Sequence, residues 1–368
     1  MGAWGHARGL LFVLLLVVSA FLGSVLILLP AAVLLLPLRC VEGFRSRAAD
    51  VRWWWFSFAA ACVEGVGGVE YEVVGDDVAG ARDRTVLVIC NHHCRLDWLF
   101  LWPVCARHGR CGALHITLKD SLKHVPLFGW AMQAFGFCFL SRVDRASDVE
   151  GIRKSLGARG EDVYALLFPE GTDLSPSNSA KARAYGSTLD PPRRFERVLV
   201  PRAAGVAAAI EAFGDRLDAI YDVTLAYDVA ARPYARPDER GLVGGAFPNV
   251  ARVRVDRVAR GDLPRAMRLG DVAATKLWLL DKWDAKEARL KAGLRADRAS
   301  PRAPDPPGTA LAARYHLLAG LAACATTVYG LWSYAALRRV ALASCAGWAS
   351  LALFGGLDGI EARVRAER

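Results

Sequence analysis

The sequence predicts an α/β fold, a mixed sheet flanked by helices, set between membrane helices at both ends of the chain. Three observations predict it. Short apolar, β-branched runs alternate with amphipathic stretches through the middle of the chain, the pattern of strands alternating with helices. Leu10–Leu38 holds no charge over 29 residues, more than the ~20 that cross a bilayer as a helix. A second apolar zone runs from Leu311 to Phe354. The chain has 368 residues, 54% of them hydrophobic and 23% charged, which is enough for one large domain with appendages. Its mean hydropathy of +0.22 reflects the apolar ends.

Residues 1–65 read as an N-terminal membrane anchor region. The apolar run exceeds the ~7–15 residues of a signal-peptide core. Pro30 and Pro37 kink or end its helix. Trp53-Trp54-Trp55-Phe56 follows, and tryptophan favours the headgroup level. Arg39, Arg45 and Arg47 after the run, against Arg8 before it, weakly bias the downstream side toward the cytosol.

Residues 66–290 read as one α/β domain. Thr85–Cys90 and Leu114–Leu118 are expected strands, with a helix over Trp98–His108 that Pro103 bends or starts. Gly151–Gly157 is expected within a helix. Val163–Phe168 is apolar throughout, as in a strand buried on both faces. Val198–Val200 and Asp222–Tyr227 read as further strands. Val250–Val258 alternates valine with arginine, which fits a half-exposed or edge strand. Ala273–Leu294 is an amphipathic helix, with Trp278 and Trp283 among Lys and Glu. Residues 291–310 are a Pro-rich linker. Residues 311–368 form a C-terminal membrane hairpin and tail, in which Arg338 and Arg339 divide Tyr315–Leu337 from Val340–Phe354 at one surface.

Net charge is +10, and arginines gather at 232, 236, 240, 252, 254, 257 and 260. No aromatic-interleaved basic patch or finger spacing accompanies them, so nucleic acid is not the expected partner. Beside apolar spans, an anionic membrane surface or phosphate-bearing substrates fit the charge better. The nine cysteines are an odd number without a framework, which argues for reduced thiols. Cys90, His92, His93 and Cys94 are too crowded for the usual zinc spacing, and no metal is expected.

The chemistry is expected at the carboxyl ends of strands, where α/β sheets place their sites. His92 follows the Thr85–Cys90 strand, and Asn91 before it is a candidate cap. A bent turn would bring Asp97, five residues on, to His92, where it would fix the ring tautomer and raise its basicity. With no nucleophile-elbow serine nearby, the simplest scheme is a dyad in which His92 takes a proton from a substrate hydroxyl. The spacing alone equally fits a surface histidine beside an incidental aspartate, and His93 is a rival base. Nothing nearby activates Cys94. Glu170 sits on the Pro169–Gly171 turn after the next strand, to bind substrate hydroxyls or orient a phosphate-holding base. Thr172 or the amides of this turn could bind an anion. Arg142 is a candidate buried-edge phosphate clamp, with Arg145 as a helper. Lys119 and Lys123 flank another strand end. Val125–Met132 is apolar enough to line an acyl groove or meet lipid.

With these motifs in place, the chain resembles the glycerolipid acyltransferases. His92 and Asp97 match their histidine–four residues–aspartate motif, and Phe168-Pro169-Glu170-Gly171-Thr172 matches their second signature. Leu140-Ser141-Arg142 and Leu199-Val200-Pro201 match two further blocks. Lys119-Asp120-Ser121-Leu122, Pro126-Leu127-Phe128-Gly129-Trp130 and Leu217–Thr224 are similar to the branch of plant-type lysophosphatidic acid acyltransferases and lysocardiolipin acyltransferase. The resemblance covers about residues 60–290.

It implies transfer of an acyl group from acyl-CoA, a co-substrate rather than a bound cofactor, to the sn-2 hydroxyl of a lysophospholipid. His92 would be the base and Asp97 its orienter. Arg142, Glu170, Gly171, Thr172 and Lys119 would hold the acceptor. The leading expectation is a lysophosphatidic acid acyltransferase of the endoplasmic reticulum, multi-pass, with its site toward the cytosol. Lysocardiolipin or lysophosphatidylinositol is the alternative acceptor. Relatives in this branch carry arginine where this chain has His93, so acceptor contacts are expected to differ there. Two other classes compete: a non-catalytic binder of anionic lipid, and a lipid hydrolase.

Overall fold

A computed structural model describes residues 3–78, 81–160, 162–228, 236–293, 305–306, 308–353 and 356–357. Seven strands make one sheet: β1 (Glu70–Gly75), β2 (Thr85–Cys90), β3 (Leu114–Lys119), β4 (Cys138–Leu140), β5 (Val163–Leu167), β6 (Ala219–Asp228) and β7 (Val250–Ala259). Their order is β1-β7-β6-β2-β5-β3-β4. β6, β2, β5, β3 and β4 are mutually parallel, while β7 runs antiparallel to β6 and parallel to β1. The sheet is therefore mixed, and the five parallel strands open their carboxyl ends on one edge. The expected α/β class holds.

Alternate side chains of the central strands feed two cores. Val86, Val88 and Cys90 of β2 face a cluster containing Trp55, Phe56 and Phe58 from the Val41–Gly65 helix. Leu87 and Ile89 face the other side, against the Arg145–Gly157, Ala203–Phe213 and Val272–Ala292 helices. Burial on both faces is why β2 and β5 are apolar at every position. β7 keeps its alternation because only one face is buried. It is not the edge, however: β1, whose Glu70, Glu72 and Gly75 obscure any strand signal, pairs along its outer side.

Val198–Val200 is not a strand. The amides of Glu196, Arg197 and Val198 donate instead to the Glu287 carboxylate at 2.9, 2.8 and 3.2 Å, which replaces a neighbouring strand. The Trp98–His108 helix divides into Asp97–Phe100 and Trp102–Arg107, with Pro103 in the first turn of the second.

Ala3–Leu35 and Thr309–Ser333 are long and apolar enough to cross a membrane. The first is π-helical over Leu22–Leu28, immediately before Pro30. The wider turn fits a residue that lacks an N–H and crowds the preceding turn. The Ser24 carbonyl accepts both the Leu29 amide and, at 3.0 Å, the Trp348 indole. In the expected hairpin the helices are Thr309–Ser333 and Ala335–Leu353, and only the first meets the length and hydropathy needed to span. Arg338 caps the first helix, donating to the Leu331 and Trp332 carbonyls at 2.8 Å each. Trp55 is buried rather than interfacial: its indole donates to Ser19 Oγ at 3.0 Å, and its ring packs on Trp102. Trp130 stacks on Trp348 and Phe128 meets Trp55 edge-on, so Val125–Met132 packs against the Ala335–Leu353 and Val41–Gly65 helices. Arg232, residues 294–304 of the expected linker and the C-terminal tail lie outside the described residues.

Candidate active site

β2 and β5 end side by side, and their loops build the site. Asn91 does not cap a turn. Its buried amide donates to the Leu225 carbonyl at 3.0 Å and accepts from the Leu225 N–H at 2.8 Å, so it extends the β2–β6 ladder by one side-chain rung. That anchors the loop at His92. Residues 94–96 then turn, and a helix starts at Asp97.

The turn brings Asp97 Oδ2 to 2.8 Å from His92 Nδ1. Asp97 is wholly buried. Its remaining acceptor sites are filled by the Cys94 amide at 3.0 Å, the Cys94 thiol at 3.2 Å and the Tyr227 hydroxyl at 2.7 Å. Burial alone would raise its pKa. The bond from His92, the nearby imidazoles and Tyr227 outweigh burial and hold it below its ordinary value, so it is a carboxylate. A carboxylate on Nδ1 leaves Nε2 as the free ring position. His92 keeps 13% of its side chain exposed and stacks on Phe168 at 4.3 Å, which joins the two loops.

The neighbours of His92 do different work. His93 packs on Tyr227 at 5.7 Å, and burial lowers its pKa, so it is a neutral packing residue away from Asp97's free geometry. Burial and the Asp97 charge push the Cys94 thiol far up, the opposite of an activated nucleophile.

Glu170 is buried. Oε1 accepts from the Trp283 indole at 3.0 Å, and Oε2 has no hydrogen-bond partner among the described residues. Burial raises its pKa from 4.5 to about 7, against the pull of Trp283 and the His92 charge. The carboxyl thus underpins the turn, while Gly171 takes φ +71°, which a side chain would strain. The sign follows: a raised pKa contributes stability that is full below pH 4.5 and lost as pH rises through 7. The shift corresponds to roughly 3 kcal/mol. Thermal unfolding of Glu170→Gln should therefore vary less between pH 5 and 8 than wild type; an unchanged slope would contradict this.

Thr172 Oγ1 accepts from Asn178 at 2.8 Å, which holds the following loop. Arg142 is exposed, with φ +61°, and its amide donates to Asp148 at 2.8 Å, so it is not a buried edge. Shielding by surrounding protein, then the charge of Arg202, lowers its pKa. Arg202 also lies beside Gly171: a Cβ there would sit 3.5 Å from its side chain. Arg142 and Arg202 thus converge at the rim. Lys119 is exposed at the end of β3, and β5 lies between β3 and β2. Among the described residues, no hydrogen bond or ion pair joins it to this group.

Four further residues that their local sequence does not assign to the site reach it: Tyr227, Arg202, Arg236 and, in its link to Glu170, Trp283. Arg202 directly follows the Leu199-Val200-Pro201 block and was visible as a basic residue there. Tyr227 closes a predicted strand, but its partner depends on sheet order. Arg236 donates to the His93 carbonyl at 3.1 Å and pairs with Asp173, so an arginine reaches the His93 position from a distant loop. No local signal reports that.

A mixed α/β domain thus bears a His–Asp pair at its strand ends, beside two apolar helices long enough to cross a membrane, and similarity to known proteins gives its class as acyltransferase. The model of the family Acyltransferase matches residues 71–228. The chain is 33% identical over 299 residues to lysocardiolipin acyltransferase 1 of Mus musculus, covering 79% of this chain and 75% of that protein. The Danio rerio lysocardiolipin acyltransferase 1 is 35% identical over 292 residues, 77% of this chain and 71% of that protein. The Brassica oleracea 1-acyl-sn-glycerol-3-phosphate acyltransferase 2 is 31% identical over 237 residues, 62% and 57% respectively. The chain belongs to the PlsC-like acyltransferase family, close to lysocardiolipin acyltransferase and the related lysophosphatidic acid branches.

Proposed function

We propose that this protein transfers an acyl group from acyl-CoA to the hydroxyl of a lysophospholipid. The supporting observation is the 2.8 Å His92–Asp97 bond on Nδ1, in a side chain that keeps 13% exposure and, among the described residues, has no hydrogen bond on Nε2. In this reading Nε2 takes the proton of the acceptor hydroxyl as its oxygen attacks the thioester carbonyl. Asp97, held by Tyr227 and Cys94, offsets the positive charge that develops on the ring. The tetrahedral oxyanion collapses with loss of CoA thiolate, which takes up the proton, so no acyl-enzyme forms. Arg142 and Arg202 would hold the acceptor phosphate, with Gly171 and Thr172 shaping the approach. Glu170 would act from below, by positioning the turn. Lys119 is a peripheral contact at most.

The preferred acceptor is lysocardiolipin rather than lysophosphatidic acid. Similarity to the lysocardiolipin acyltransferases extends over 77–79% of this chain, against 62% for the plant lysophosphatidate enzyme. A panel of lysocardiolipin, lysophosphatidylinositol and lysophosphatidic acid, with one acyl-CoA, tests this. Lysocardiolipin should give the highest kcat/KM; a several-fold preference for lysophosphatidic acid would reverse the assignment. The site is proposed to face the cytosol from the endoplasmic reticulum membrane, where CoA esters reach it, with Ala3–Leu35 and Thr309–Ser333 as spans. Residues 66–290 would form the catalytic unit between the membrane segments.

A further inference from the structure

A second cavity, of about 330 Å³, lies at the other edge of the sheet. Phe135 and Gly136 before β4, Val163 at the start of β5 and the first half of the Val41–Gly65 helix enclose it. These are the amino ends of the parallel strands, opposite His92. Arg52 lines this cavity and is only 8% exposed.

Arg52 is a buried cation with neutral partners only. Nε donates to the Gly112 carbonyl at 2.8 Å, and Nη2 bonds the same oxygen. Nη1 donates to the Phe135 carbonyl at 3.2 Å and to His115 Nε2 at 3.1 Å. His115 Nδ1 lies 2.9 Å from the Ala113 carbonyl, which sets Nδ1 as the protonated nitrogen and Nε2 as the acceptor. Burial, then Arg52 and Arg159, lower the His115 pKa, in keeping with a neutral ring. Among the described residues, no carboxylate pairs with Arg52. Of the acids lining the cavity, Glu42 lies 4.0 Å from Arg45, while Asp162 pairs with Arg110 at 2.7 Å and acts on Arg52 through space without bonding it.

A buried cation whose hydrogen-bond partners, among the described residues, are all neutral is costly, and an anion entering the cavity relieves that cost. Burial and then the Arg159 charge already push the Arg52 pKa down to about 9. Arg159, which donates to the Ser155 and Gly136 carbonyls, and Arg45, beside Glu42, also line the space and add positive charge around it. The mouth, at Glu42, Arg45 and Ser46, follows the end of the Ala3–Leu35 helix by only a few residues. That places it at headgroup depth if the helix spans. We propose that the Arg52 cavity is a second, non-catalytic site that binds a phosphate-bearing group. A lipid headgroup and a soluble phosphate share this chemistry.

The test uses the full chain in non-ionic detergent and phosphate-free buffer, with the thermal midpoint as readout. Ligands are inorganic phosphate, phosphatidic acid in mixed micelles, and diacylglycerol of the same chains as the uncharged control. A saturable rise with a phosphate-bearing ligand and none with diacylglycerol is expected. A rise with phosphatidic acid alone identifies a headgroup; a rise with inorganic phosphate as well identifies any accessible phosphate. Ala49→Glu sets a carboxylate in the cavity three residues before Arg52. It should raise the unligated midpoint and weaken the response at least tenfold in apparent affinity. Ser46→Asp, at the mouth, is the second variant should the first fail to fold. No response in wild type would overturn the proposal. So would a full response in both variants, which would move the binding to the His92 site.

Discussion

His92→Ala should cut acyl transfer by about 10²–10⁴-fold while the protein remains folded. The ring keeps 13% exposure and stacks on the partly buried Phe168, so its loss opens space between the two site loops rather than inside the sheet. Its loss removes one of the two bonds to Asp97 Oδ2. The Cys94 amide, the Cys94 thiol and Tyr227 still bind that carboxylate, so the loop stays closed. His93→Ala is the matched control. His93 packs on Tyr227 and makes no bond to Asp97, so its variant should retain most activity. Rates from CoA release, with circular dichroism for folding, check both. Equal losses in the two variants would remove the distinction on which the dyad rests.

Lys286→Met should destabilise the domain by about 3–5 kcal/mol, the largest stability effect expected of a single residue here. Lys286 and Asp222 are both essentially inaccessible, with Nζ 2.6 Å from Oδ1. Nζ also reaches the Val223 carbonyl at 2.5 Å and Thr224 Oγ1 at 3.3 Å. Removing the cation strands the Asp222 charge inside the sheet. The pair's net contribution is smaller than that loss, because both charges were desolvated to form it. Lys286→Met with Asp222→Leu should therefore recover most of the deficit in a chemical unfolding series. No recovery would show that the hydrogen bonds, not the stranded charge, set the cost. Lys286 lies 5.1 Å over the Trp283 ring, whose indole holds Glu170, so the single variant should also loosen the active-site turn.

The sequence pattern carried the α/β class and the strands that are apolar throughout, because burial on both faces leaves no polar position. It carried β7's alternation but not its neighbour, since β1 has two glutamates and ends at a glycine. Val198–Val200 reads as a strand because three apolar residues give no sign of what binds the backbone there; the Glu287 carboxylate takes the amides of Glu196, Arg197 and Val198. At the site, the bent turn that the His92–Asp97 spacing required is present. The burial of Glu170, on a turn, and of Lys286, on an amphipathic helix, has no local signal. Their burial depends on Trp283 and Asp222, more than 60 residues away in the chain. Tyr227, Arg202 and Arg236 likewise reach the site through sheet order and loop return, which local pattern does not encode.

The most direct measurement is CoA release from acyl-CoA by purified protein, with and without lysophospholipid, alongside His92→Ala, with the lipid product identified by mass. The account predicts release that requires the acceptor, a product one acyl chain heavier, and neither in the variant. Acceptor-independent release with free fatty acid would indicate a hydrolase, and no release with any lysophospholipid would contradict acyl transfer at this site.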